Sequence, residues 1–161
     1  MASGLFSKLV KAGLSFGTAL RMVNAALLAK AEEESFATLD LASLDFYTGG
    51  CTICKAGAAA SFLRRGGKTE VMERASMPIG ILKETRFSDF RTRLQPGDWI
   101  LLVSDGALGA GTGWIQAELQ AFEGTDAQSL ADRIAEEAAR RRKDGHEDDI
   151  TVLAGVVVEN R

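Results

Sequence analysis

The chain has 161 residues, a length that suits one domain. A hydrophobic share of 46% and a charged share of 25% are ordinary for a globular protein. The net charge of -3 offers no basic footprint for nucleic acid. No apolar run approaches the ~20 residues of a membrane span, and Met1-Ala2-Ser3-Gly4 leads into an amphipathic pattern, not a signal peptide.

Residues 4–14 place Leu5, Leu9 and Ala12 on one helical face, with Phe6, Val10 and Gly13 beside it; Gly13 is the expected stop. Thr18 is expected to cap a second helix that runs to about residue 30, where Ala19, Met22, Val23, Ala26 and Leu27 keep the 3.6-residue period. Glu32, Glu33 and Glu34 oppose the dipole at its C-terminal end and read as a frayed, solvated link. Residues 36–47 are long for one strand, and the apolar parity switches between Leu41 and Leu44. Either a bulge intervenes near Ala42-Ser43 or both faces are partly buried. Asp40 and Asp45 lie within this strand and read as structural.

Thr48-Gly49-Gly50 is a hairpin turn into a strand over 51–55. Cys51 and Cys54 form C-x-x-C. Strand residues three apart face opposite ways, with Cα atoms ~10 Å apart, beyond the ~7 Å limit of a disulfide. They read as two reduced packing thiols. Residues 56–60 are small enough for close approach of another backbone. Residues 61–65 and 68–73 form a hairpin about Gly66-Gly67, 77–82 an apolar loop punctuated by Pro78 and Gly80, and 87–94 an alternating, edge-like strand.

The run Gly97-Asp98-Trp99-Ile100-Leu101-Leu102-Val103-Ser104-Asp105-Gly106 is apolar on both parities from Ile100 to Val103. It reads as a strand covered on both faces, delivering Asp105 to the rim of its sheet. His146-Glu147-Asp148-Asp149 precedes a second apolar strand over 150–158. If these strands are antiparallel neighbours, roughly 5 Å apart, Asp105 faces Asp148 or Asp149. Carboxylates that close repel unless one keeps its proton or a cation lies between them. One His and no suitable Cys cluster favour Mg²⁺ or Mn²⁺ over zinc.

Between these strands, residues 107–113 form a Gly-rich, mobile connection and 114–122 a helix. Thr125-Asp126-Ala127-Gln128 is a capping box for a helix through about residue 143, with Leu130, Ile134 and Ala138 as its buried stripe and Glu136–Arg140 and Glu137–Arg141 as i,i+4 pairs. Its basic end, Arg140-Arg141-Arg142-Lys143, is either a solvated terminus or a phosphate-attracting patch. The expected order is two helices, about six strands, two helices and one strand, implying two stacked antiparallel sheets with helices outside.

Several motifs then fall in order: Phe36-Ala37-Thr38-Leu39-Asp40, Lys55-Ala56-Gly57-Ala58 with Ser61-Phe62, Met77-Pro78-Ile79-Gly80-Ile81-Leu82, Pro96-Gly97-Asp98, Ser104-Asp105-Gly106 and His146-Glu147-Asp148-Asp149-Ile150-Thr151. From about Val23 onward the chain resembles the phosphatase domain of stage II sporulation protein E, a branch of the metal-dependent type 2C (PPM) protein phosphatases. The resemblance implies an α+β fold, an α-β-β-α sandwich of two antiparallel sheets flanked by helices. Residues 1–161 then form a single domain, with 1–31 as a helical hairpin and 36–158 as the sandwich portion.

It also implies a hydrolase: a protein serine/threonine phosphatase of sporulation, using two Mn²⁺ or Mg²⁺ ions and a metal-bridging hydroxide against a phosphoserine on an anti-sigma-factor antagonist. Asp105 and Asp148 match metal ligands, and Gly106 and Asp149 are secondary candidates, Asp149 orienting the ligand or its loop. His146 is either a donor behind that ligand or a turn residue. Relatives carry an earlier Asp-Gly whose Asp bridges both metals; here no Asp precedes Asp40. The chain is therefore expected to be an N-terminally truncated portion, inactive by itself. The alternative is a non-catalytic binding or self-association fragment, a homodimer through the N-terminal helices or open sheet edges. Relatives have membrane-spanning segments upstream, so the expected location is a cytoplasmic domain of a membrane-anchored parent.

Overall fold

A computed structural model describes residues 2–30, 36–84, 87–142 and 148–159. Helices α1 (Ala2–Lys11) and α2 (Phe16–Ala29) precede strands β1 (Leu39–Leu44), β2 (Gly50–Ala56), β3 (Ser61–Arg65), β4 (Lys68–Met72), β5 (Ser88–Arg93) and β6 (Trp99–Val103). Helices α3 (Gly113–Ala121) and α4 (Ala127–Arg141) and strand β7 (Val152–Val156) complete the order expected from periodicity. The strands form two antiparallel sheets, ordered β1-β2-β5 and β4-β3-β6-β7. β5 is an edge strand, as its alternation indicated. None of the described helices is long and apolar enough to cross a membrane.

The chain divides into two compact units. The first comprises Met1–Ala42, Thr52–Ala58 and Ala75–Phe90. Its core joins Phe6, Leu20, Val23 and Leu27 of the helices to Cys54 and Ala56 of β2 and to Ile79. Gly13 ends α1 as expected, its N–H on Val10 O while Leu14 N–H reaches back to Leu9 O. The cap of α2 is Ser15, not Thr18. Ser15 is extended and its hydroxyl accepts from Thr18 N–H. The helix starts early because Phe16 packs edge-on against Phe6, centroids 5.3 Å apart, a tertiary contact that helical period alone does not reveal.

Two buried polar anchors hold this unit together. The Asn24 amide donates to Leu82 O and accepts from Gly80 N–H, tying α2 to the apolar loop. Lys55, fully buried, pairs with Asp40 at 2.5 Å, which supports the structural reading of Asp40. Gly57 has φ +62°, and a Cβ there would lie 2.7 Å from Pro78 N, so the small-residue bend does serve close backbone approach. The acidic run Glu32–Glu33–Glu34 lies outside the described residues.

The second unit comprises Ser43–Cys51, Ala59–Arg74 and Arg91–Arg161. One face of its sheet, through Phe62, Trp99, Leu101 and Val103, packs with Ile115 and Leu119 of α3 and Leu130 and Ile134 of α4. Leu63, Ile100 and Leu102, of opposite parity, are buried too, so β6 is covered on both faces as its composition indicated. The β1–β2 turn is built by Asp45, whose carboxylate accepts from Tyr47 N–H, Thr48 N–H and the Thr48 hydroxyl. Those bonds, the Thr48 hydroxyl first, hold its carboxyl below the usual range. Cys51 and Cys54 are buried and unbridged, and burial pushes both thiols up.

Two details of α4 differ from expectation. Its cap is Asp126, accepting from the Ser129 hydroxyl and N–H, in place of a Thr125–Gln128 box. Arg140 and Arg141 both pair with Glu137; Arg141 keeps the expected spacing and also lies 5.1 Å over the Trp114 ring.

Leu101→Ala should cost about 2–5 kcal/mol in chemical denaturation, the range for a fully buried leucine. Asp126→Ala should lower the melting temperature at neutral pH. The hydrogen bonds from Ser129 depress the folded pKa of Asp126 below its ordinary 3.8. Its contribution is therefore complete above that value and lost as pH falls through the lowered one. Melting curves of the two proteins should converge in strong acid; a gap that widens there would contradict the capping role.

Candidate metal centre

β6 and β7 pair antiparallel, Trp99 opposite Val156 through Val103 opposite Val152. One step further, Ser104 N–H donates to Thr151 O at 2.9 Å. The ladder stops there. The chain turns through a 3-10 segment, Asp105–Ala107, closed by Leu108 N–H on Asp105 O at 2.8 Å. Asp105 thus leaves the end of β6 at the same rim where Asp148 and Asp149 enter β7.

The two motifs touch through their backbones. A Cβ on Gly106 would lie 2.5 Å from Asp149 O and 2.9 Å from Asp148 O, so only glycine allows this approach. The Ser104 hydroxyl donates to Asp149 O and accepts from Thr151 N–H, both at 2.8 Å. The Arg142 guanidinium, at the end of α4, donates to Asp148 O. Asp105, Asp148 and Asp149 are exposed, and Asp105 Oδ1 accepts from Gly106 N–H. His146 lies outside the described residues.

The donor chemistry fits a hard cation. The carboxylates are exposed, the setting in which one or two acids hold Mg²⁺ or Mn²⁺ with water filling the other positions. Among the described residues, no group of three or more His, Cys, Asp or Glu side chains could hold a metal. Asp40 and Asp45 are engaged elsewhere, with Lys55 and in the β1–β2 turn.

Sequence reasoning passed over Ser104 and Arg142 as parts of this site. Ser104 was visible only as the first letter of Ser-Asp-Gly, and Arg142 as one of four basic residues; their bonds to distant carbonyls exist only in three dimensions. A cavity of about 520 Å³ lies at the opposite end of β3 and β6. Its arginines are committed: Arg65 grips Asp98 and Arg64 donates to Leu119 O and Phe122 O.

Comparison with known proteins bears on this arrangement. The family described as Stage II sporulation protein E (SpoIIE) matches residues 1–157. The chain belongs to this family. Stage II sporulation protein E of Bacillus subtilis (strain 168) is 28% identical over 155 residues, 92% of this chain but 19% of that protein. The chain thus spans about a fifth of that relative's length. A structure of the PP2C phosphatase domain with a fragment of the regulatory domain of SpoIIE from the same organism superposes with a TM-score of 0.86, at 27% identity, covering 99% of this chain and 50% of that one. The phosphatase domain presoaked with Mn gives 0.70 at 27% identity, covering 98% and 72%. A crystal form without domain swapping gives 0.74 at 27%, covering 99% and 73%. The chain thus shares the fold of the part of the SpoIIE phosphatase domain that it covers.

Gly106→Ala tests the close approach directly. The added methyl meets backbone oxygen, not a yielding side chain, so a loss of about 1–3 kcal/mol is expected. Amide signals of residues 148–151 should move with it. Unchanged stability and spectra would show that the two motifs are not packed this closely.

Proposed function

We propose that this chain is part of a metal-dependent protein serine/threonine phosphatase of sporulation, and that Asp105 and Asp148 hold its Mn²⁺ or Mg²⁺. The observation that carries the reading is the packing of Gly106 against the Asp148 and Asp149 carbonyls, which joins two acidic motifs at one rim. Membership of the SpoIIE family and the Mn-presoaked relative support the same conclusion. When bound, such ions neutralise charge on the phosphoryl oxygens and make water nucleophilic at neutral pH.

The chain's own residues bind and orient. Asp105 and Asp148 supply the carboxylate oxygens. Asp149 fixes the loop through its carbonyl, and Gly106 lets the segments meet. Arg142, already on Asp148 O, adds positive charge at the rim where a phosphoryl group would dock. The substrate proposed from family resemblance is a phosphoserine on an anti-sigma-factor antagonist. With Asp105 and Asp148 as the proposed carboxylate ligands among the described residues, the 161-residue chain alone should be inactive or nearly so.

Self-association is a second reading, favoured by Phe46 and Tyr47, which are 91% and 101% exposed at a turn made rigid by Asp45. A relative whose crystal form is distinguished as lacking domain swapping fits such behaviour in the family.

The test is phosphate release from a phosphoserine protein by the longer catalytic domain in Mn²⁺. Asp105→Ala should reduce kcat by about 100-fold or more, and chelation should abolish turnover. Full activity in Asp105→Ala would remove that residue from the mechanism.

A further inference from the structure

We infer that Ser104 is a positioning residue: its hydroxyl sets the separation of the Asp105 and Asp148 carboxylates, and so governs cation affinity at the proposed metal centre. The inference rests on the reading of that rim as a Mn²⁺ or Mg²⁺ site.

Ser104 occupies the N-cap of the 3-10 turn that carries Asp105. A serine there normally turns its oxygen onto the free N–H groups of its own turn. Ser104 makes no such bond. The first of those N–H groups, on Gly106, is left to the Asp105 carboxylate at 3.1 Å. The serine hydroxyl instead crosses to the other motif. There it accepts from Thr151 N–H and donates to Asp149 O, each at 2.8 Å. With Ser104 N–H on Thr151 O at 2.9 Å, one residue makes three bonds to the three-residue stretch that follows Asp148.

The geometry explains why a side chain is needed at this point. The β6–β7 ladder has ended, and the next backbone contact is Gly106 against the two aspartate carbonyls; the Gly106 N–H is on the Asp105 carboxylate and so is no substitute for the serine bond. Without the hydroxyl, Asp149 O loses its donor and Thr151 N–H its acceptor. Both groups can turn to water, so the fold survives. The loop that carries Asp148 and Asp149, no longer tied to the residue after β6, then relaxes outward. Cation binding must first restore the lost alignment, and affinity falls.

Arg142 holds Asp148 O from the α4 side but does not replace this function. A long, exposed guanidinium follows the loop; a short hydroxyl, on the residue that directly follows β6, holds it in place.

The experiment is a Mn²⁺ titration of the 161-residue chain, followed by paramagnetic broadening of the Gly106 and Thr151 amide signals, a readout that needs no turnover. Ser104→Ala should require about tenfold more Mn²⁺ for half-broadening. Ser104→Thr, which keeps the hydroxyl, should return close to the wild-type curve. Asp105→Asn serves as the ligand control. If Ser104→Ala titrates like wild type while Asp105→Asn is shifted, the role of Ser104 is overturned and the proposed function stands. If no broadening centres on this rim, or Asp105→Asn leaves it unmoved, both fall. Hydrogen exchange of the wild-type Thr151 amide gives a check independent of any variant folding: protection is expected, and free exchange would overturn the clamp.

Discussion

The antiparallel pairing of β6 with β7 is the constraint on which the rest of the structure depends. Antiparallel neighbours bring the end of one strand to the start of the other. That relation alone places Asp105 beside Asp148 and Asp149, although more than forty residues separate them in the chain. The register is protected by burial. Trp99, Leu101 and Val103 face the helices and Ile100 and Leu102 the other way, all buried. A one-residue slip would exchange the two sets and unmake both packings.

The rim therefore combines exposed side chains with a backbone anchored in a buried ladder. Three exposed aspartates lie along this rim, an arrangement that gives nothing to stability by itself. What offsets it is local and polar: Ser104 bridging the segments, Arg142 on Asp148 O, and a glycine where no other residue fits. Such a rim has a main chain tied to a buried ladder and acids open to water, the setting in which a cation that gives up its waters reluctantly, such as Mg²⁺, would keep several of them.

The first unit shows the same economy with a different outcome. Its polar groups turn inward: Asn24 holds Gly80 and Leu82, and the fully buried Lys55 meets Asp40. An Asp at this depth, paired with a buried lysine, is a structural group, while an Asp at the end of a strand is available for chemistry. Asp45 belongs with the first kind although it is exposed, because all its bonds are spent on its own turn.

Much of this was legible in the chain itself. The family was legible by resemblance of its ordered motifs, while the element order, the double-sided burial of β6, the edge character of β5 and the unbridged cysteines follow from periodicity, strand geometry and spacing. These are properties of neighbouring residues, and local sterics and hydrophobic pattern decide them. Helix caps were harder: Ser15 displaced Thr18 because Phe16 found Phe6, and Asp126 displaced Thr125 because Ser129 offered both a hydroxyl and an N–H. Tertiary structure alone decided that the Ser104 hydroxyl abandons its own turn for Asp149 and Thr151, and that Gly106 must be glycine because two carbonyls lie behind it. A hydrogen bond between residues 45 positions apart leaves no periodic trace; it exists only once the two strands have paired.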